Sequence, residues 1–319
     1  MLKLSGLPLA SLPAPHLSRW KEPDEESPGG SHVWPLRPAW AAIVQAVLAL
    51  GPVTLRAGDG LCSVEHRAHL RWLGFTGKDS LPSPGAGMSI DTTGWALGMA
   101  TQARLNDGRV RRGCTFFDER GHAVLKLDLA AGASPDGFHD IVRRFAIGTR
   151  PSDGRDGVAS VHWPALQSAP RHELAWVHGA GALEDLADQD LARQLPGDAL
   201  LEVLRQTRHA RLPISAHFSC RGLQLNWTGL LHHLDGRAGV ALASGFDIEL
   251  KWSEGHPGPQ AWLVRQPTSS GLVQSLALLA PDGELRLLLA PLHAPARPQP
   301  CAWRAAVNAA CGGPLGTAC

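Results

Sequence analysis

Fifteen histidines and six cysteines are the side chains of this 319-residue sequence with metal-ligand chemistry, and their spacing decides what they can do together. A transition-metal site needs several imidazole, thiolate or carboxylate donors brought to one point, which shows in a sequence as closely spaced pairs. Cys62, Cys114, Cys220, Cys301, Cys311 and Cys319 form no CxxC pair and no regular framework, so free thiols are expected. His66 and His69 have an i, i+3 spacing that suits a metal on a helix, and one ring of His232-His233 would point inward on a strand. Neither pair has a carboxylate or thiol at a fitting distance, and both read as structural. Gly85-x-Gly87 lacks the third glycine and the strand-to-helix context of a dinucleotide fingerprint, and no P-loop or Ser-His-Asp arrangement competes.

The elements that must position these groups come twice. Phe116 to Leu127 and Leu278 to Leu289 both read as a β-hairpin: an apolar pair, a turn built on Asp or Arg with Gly, then alternating apolar residues. Gly121 and Gly283 are 162 residues apart, about half the chain, so a duplicated half-domain is the natural reading. Upstream, Trp95 leads through Asn106-Asp107-Gly108 to Phe116 as Trp262 leads through Ser269-Ser270-Gly271 to Leu278. Downstream, Phe138 to Phe145 and Trp303 to Val307 have helical spacing of apolar residues. Earlier in each half a helical stretch, Ala39 to Leu50 or Asp198 to Thr207, precedes strands at Pro52-Val53 to Cys62 or Pro213-Ile214 to Leu223, with Asp198 expected as a cap. The fold class expected is α+β, a tandem duplication in which each half has a large antiparallel β-sheet and flanking helices. The N-terminal repeat spans 38–150, a connection 151–194, and the C-terminal repeat 195–310.

A composition of 44% hydrophobic and 18% charged residues with net charge +1 is that of a soluble globular chain. Lys and Arg are scattered, which leaves no electrostatic footprint for nucleic acid. The apolar stretch Trp40 to Leu50 is too short to span a bilayer, and Pro8 and Pro13 interrupt the start before a leader develops, so a cytoplasmic protein is expected without stable membrane insertion.

The second half, with Gly222 to Gly229, Phe246 to Leu250 and the run Trp262-Leu263-Val264-Arg265-Gln266-Pro267-Thr268-Ser269-Ser270-Gly271, resembles the haemin-degrading and haem-trafficking factors of Gram-negative haem-uptake operons (the HemS/HmuS/ChuS family). Thr115 to Leu127 resembles the corresponding hairpin of their first half. The resemblance implies a haem held in a cleft beside the connection between the halves, with an axial His in an Asp-Val-His-like motif. Ser160-Val161-His162-Trp163 stands in that place, so His162 is the candidate iron ligand and Trp163 a residue to pack on the macrocycle, with His172 and His178 as fallback ligands. A neutral imidazole is the usual proximal ligand to haem iron. Arg265 is retained as a candidate partner for a haem propionate.

The departures bear on function. Where the family has an Arg facing the distal side of the haem this sequence has Ser89; a family Lys is Gln266; and a Gln, a Tyr and an Arg that reach the haem are Leu288, Ala290 and His293, in a chain with no Tyr at all. Three readings stay open: a haem-degrading enzyme, in which the iron and a reductant carry the chemistry; a carrier that holds or hands over haem; and a divergent paralogue that has lost haem binding. The partners implied are haem, a haem ABC transporter and an electron donor, for a monomer or homodimer.

Overall fold

The computed structural model of the chain describes residues 32–59, 61–68, 74–76, 88–148, 152–153, 179–196, 198–237, 240–253, 259–268, 271–292 and 299–311. The first half runs β1 (His32–Leu36), α1 (Trp40–Leu48), β2 (Val53–Gly58), β3 (Cys62–Ala68), β4 (Gly74–Thr76), β5 (Met88–Asp91), β6 (Trp95–Arg104), β7 (Val110–Asp118), β8 (Ala123–Leu129) and α2 (Pro135–Phe145). Between the halves lie β9 (Ser152–Asp153) and α3 (Gly179–Asp188). The second half continues with β10 (Ala192–Gln194), α4 (Ala199–His209), β11 (Ile214–Cys220), β12 (Leu223–Gly229), β13 (His233–Arg237), β14 (Val240–Ser244) and β15 (Ile248–Ser253). It closes with β16 (Gln260–Thr268), β17 (Gly271–Leu279), β18 (Leu285–Pro291) and α5 (Cys301–Ala310).

Local chemistry explains the repeated elements. The β7–β8 turn is closed by Asp118 N–H to His122 O (2.9 Å) and Gly121 N–H to Asp118 O (3.0 Å); the β17–β18 turn by Ala280 N–H to Glu284 O (2.9 Å) and Gly283 N–H to Ala280 O (2.8 Å). Gly121 and Gly283 have φ of 78° and 81°, a conformation that costs other residues a Cβ clash. Helix α2 starts where the Ser134 hydroxyl accepts from Gly137 N–H, with Pro135 in the first turn, and it buries Phe138, Ile141, Val142 and Phe145 at helical spacing. Helix α4 buries Leu200, Leu201, Val203 and Leu204 as the pattern requires. Its expected cap is not made: Asp198 has helical φ and ψ (−97°, −11°) rather than the extended backbone that swings a carboxylate over the free N–H groups.

The two sheets have the same internal order. One reads β13-β14-β15-β3-β2-β8-β7-β6-β1-β9, the other β10-β16-β17-β18-β11-β12-β5-β4, so β1-β6-β7-β8-β2-β3 matches β10-β16-β17-β18-β11-β12 strand for strand. This is the duplicated α+β fold expected from the sequence. The outer strands are exchanged: β5 of the first half pairs with β12, and β15 of the second pairs with β3. Each sheet therefore draws strands from both halves, and one main hydrophobic core runs through both, taking in α1, α2, α4 and α5.

Where the halves meet, equivalent turns carry opposite charge. Asp59, after β2, binds Arg286 of β18 (Nε to Oδ2 2.7 Å), while Arg221, between β11 and β12, binds Asp118 at the end of β7 (Nη1 to Oδ2 3.4 Å). The equivalence of Trp95 and Trp262 does not hold. Trp95 lies in the main core, stacked on Phe116 at 4.5 Å, whereas Trp262 belongs to a separate cluster on the opposite sheet face. A register shift between Trp95 and Leu97 displaces the start of β6, and the register counterpart of Trp262 is Met99.

Candidate functional site

Directly opposed residues of neighbouring antiparallel strands share a sheet face. Across the eight-stranded sheet one such row runs Gln194, Trp262, Ala277, Leu288, His217, Asn226 through six strands. It lies on the face turned away from α4 and α5. A second row on that face sets Ser89 of β5 beside Gln224 of β12, and Gln224 beside Ser219. The Ser89 hydroxyl donates to Gln224 Oε1 (3.4 Å). A third places Ser215 between Thr228 and Ala290. Gln266 is on the same face, four residues along β16 from Trp262. Ser89, Leu288 and Ala290, where the family resemblance implies residues that reach the haem, are thus brought to one surface with Gln266, where it implies a Lys, and the strand exchange is what carries Ser89 there.

The surface is apolar at one end and polar at the other. Helix α3 packs Leu183 and Leu186 onto Ala192, Trp262, Val264, Ala277 and Leu279, with Leu288 at the margin of this cluster. Past Leu288 come His217 and Asn226, joined by a 2.7 Å hydrogen bond between Nδ1 and Oδ1. Among the described residues no Arg or Lys stands on this face.

The corresponding face of the ten-stranded sheet is built differently. Its matching row is Pro35, Met99, Thr115, Lys126, Arg56, Glu65. Arg56 contacts Glu65 and Asp128, each at 2.8 Å, and Lys126 lies 3.4 Å from Asp128. Burial pushes the Glu65 carboxyl up, but hydrogen bonds and charge from Arg56 and Arg67 outweigh it and hold the group below its usual range. The Arg56, Glu65, Lys126 and Asp128 network of the first half is replaced in the second by His217, Asn226, Leu288 and Ala290. At these positions one copy of the face is closed by ion pairs, and the other carries no charge.

Of the residues singled out in the sequence, His162, Trp163, His172, His178, His69 and His293 lie outside the described residues. Arg265 alternates away from Gln266 onto the core face, where it is 7% exposed and donates from Nη1 to Asp190 O (3.1 Å) and Asp190 Oδ2 (2.9 Å). It ties the turn between α3 and β10 to β16 and does not join the row of Trp262. His66 sits on strand β3, not on a helix, with Nδ1 3.1 Å from the Asp247 carbonyl across the exchanged strands. Among the described residues no three His, Cys, Asp or Glu side chains converge as a metal site. Cys62, Cys114, Cys220, Cys301 and Cys311 are free thiols, and burial, with the charge of Asp128, pushes Cys114 up to about 12.

His217 and Asn226 were not singled out in the sequence, although a signal for them exists. A two-residue turn at Arg221-Gly222 sets the hairpin register, and counting outward from it places His217 opposite Asn226.

No protein-family model matches the sequence, and no curated protein matches it. Among solved structures, the chain is similar to holo-PhuS, a haem-binding protein from Pseudomonas aeruginosa, at 21% identity and a TM-score of 0.65 over 86% of each chain. It is equally similar to ChuS, an E. coli haem oxygenase, at 19% identity and a TM-score of 0.65, over 88% of this chain and 89% of that one. At this level of identity the likeness establishes the fold: the chain has the duplicated α+β fold of these two proteins.

Proposed function

We propose that the chain binds haem against the outer face of the eight-stranded sheet and serves haem utilisation in the cytoplasm, receiving haem from an ABC transporter and degrading it or handing it on. The observation that carries this reading is the convergence of Ser89, Gln266, Leu288 and Ala290 on one face without an Arg or Lys among the described residues, in a fold shared with a haem-binding protein and a haem oxygenase. The residues suit the ligand. A porphyrin is a flat apolar plate with a polar edge, and beside the Trp262 cluster that α3 covers, the face offers half-buried Leu288 bordered by imidazole, amide and hydroxyl groups. The repeats are taken as 38–150 and 195–310. In the connection 151–194, His162 supplies the axial nitrogen and Trp163 packs on the ring. With no cation on the sheet face among the described residues, the haem carboxylates turn toward its edge, away from the apolar floor. Ser89 gives this face a neutral hydroxyl where the family resemblance puts a cation, which favours holding and transfer over ring opening.

Adding haemin to the purified protein tests the reading. A protein-dependent Soret band is expected, and His162→Ala should shift it and weaken binding; an unchanged spectrum in that variant moves the ligand role to His172 or His178. With ascorbate as reductant, the Soret band should decay slowly, and Ser89→Arg should accelerate the decay. A haemin spectrum that the protein leaves unaltered would overturn the reading.

A further inference from the structure

Two residues along each strand from His217 and Asn226, the outer face of the eight-stranded sheet carries a second opposed pair, Ser219 and Gln224. Ser89 of β5 stands on the other side of Gln224, and Gly74 of the edge strand β4 stands beside Ser89. Ser219, Gln224 and Ser89 are all half-buried. Whichever way the amide is turned, Ser89 and Gln224 carry three polar hydrogens between them and Ser219 a fourth, and the contact between Ser89 Oγ and the Gln224 amide uses one. The other three are left for an acceptor. Asp91, the carboxylate two residues from Ser89 on β5, is engaged by the Thr93 N–H (2.9 Å) and the Thr93 hydroxyl and does not take these donors up. The fold itself does not demand the pair. In the first-half copy the same two positions are Gly58 and Ser63, and a Cβ on Gly58 would lie 2.5 Å from the Ser63 Cβ. That copy has no room for a second side chain, whereas the eight-stranded sheet seats two side by side.

We propose that Gln224 and Ser219 form a subsite for a haem carboxylate, and that Ser89 is the positioning residue for the Gln224 amide. The inference rests on the haem reading above and assigns the place on the sheet where the polar edge of the ring lies. Gln224 is two strands across and two residues along from Leu288, about 12 Å by strand spacing and rise. A ring resting over Leu288 spans that distance with its carboxylate arms, and Ser89 at the end of the strip is one strand in from the sheet edge. A carboxylate only accepts, so it matches a strip with donors to spare, and these donors bond a charged oxygen about twice as strongly as a neutral one.

The experiment compares haemin with haemin dimethyl ester, in which both carboxylates are capped, by Soret titration of the full chain. Both compounds keep the ring and the iron, so the ratio of their dissociation constants reads the carboxylates alone. Wild-type protein should bind haemin roughly tenfold more tightly than the ester, the gain expected when hydrogen bonds are made to a charged group. Gln224→Leu should bring the two constants together by weakening haemin. Ser219→Ala, which removes only a hydroxyl, should lower the ratio to roughly threefold, and it keeps the test decisive where leucine at 224 disturbs the sheet. Ser89→Ala should lower the ratio as well and Ser89→Thr should restore it, whereas a loss of structure weakens both compounds alike. A wild-type ratio near one, or a ratio that Gln224→Leu and Ser219→Ala leave at the wild-type value, overturns the subsite while leaving haem binding intact. Absence of a protein-dependent Soret band with either compound overturns the haem reading and the subsite with it.

Discussion

His122 shows how a single side chain reports on the junction of the halves. It is 7% exposed, its Nδ1 lies 3.1 Å from Asp118 Oδ2, and Arg221 reaches the same carboxylate oxygen from the other half. Burial lowers the imidazole below its ordinary 6.5; the charge and hydrogen bond of Asp118 pull the other way, and Arg221 and Arg120 reinforce the lowering. The folded protein therefore takes up this proton later than the unfolded chain. The stability that follows is complete above about pH 6.5 and is lost as pH falls from there toward the depressed folded value. His122→Gln keeps a polar partner for Asp118 but cannot titrate. Urea unfolding across this window should show a shallower loss of stability with acid in that variant than in the wild type; equal slopes would place the coupling elsewhere. Glu65, held below the carboxylate range, adds its own loss only at lower pH. At this scale the sequence was partly legible. Alternation along a strand puts Arg265 and Gln266 on opposite faces, but it could not show that Asp190 engages Arg265, because that contact is made between elements far apart in the chain.

Among elements, the hairpins and helices followed from turn chemistry and spacing, since Gly121, Gly283 and the buried stripe of α2 are local signals. The exchange of β5 and β15 was not legible. A strand's alternation says which face it buries, but not which distant edge it will join, and β5 and β12 have no short turn between them to set a register. The same limit hid the opposed charges that hold the halves together. Asp59 and Arg286 are both 4% exposed at the side chain and 2.7 Å apart, so Arg286→Ala leaves an uncompensated carboxylate in the core. The expected loss is about 3–5 kcal/mol in chemical denaturation. The double variant Asp59→Leu with Arg286→Met should lose clearly less than either single change, because no buried charge is stranded. A single-variant loss below about 1 kcal/mol would mean that the pair behaves as a solvated surface contact.

At the scale of the whole molecule, a duplicated fold has kept its strand order and diverged on one face. The first copy fills that face with Arg56, Glu65, Lys126 and Asp128; the second leaves His217, Asn226, Leu288 and Ala290. Both copies could be read in the sequence, yet their contrast appears only when strand register aligns the rows across six strands. No helix among the described residues is long and apolar enough to cross a membrane. The central claim, that the outer face of the eight-stranded sheet receives haem, is tested most directly by the dissociation constant for haemin of the wild type against Leu288→Asp, followed through the Soret band. The wild type should saturate at one haemin per chain. A carboxylate set into the apolar floor must be desolvated beneath the ring, so Leu288→Asp should bind at least about tenfold more weakly, a difference of ~1.4 kcal/mol. Equal affinities in the two proteins, or no saturation in the wild type, would contradict the account.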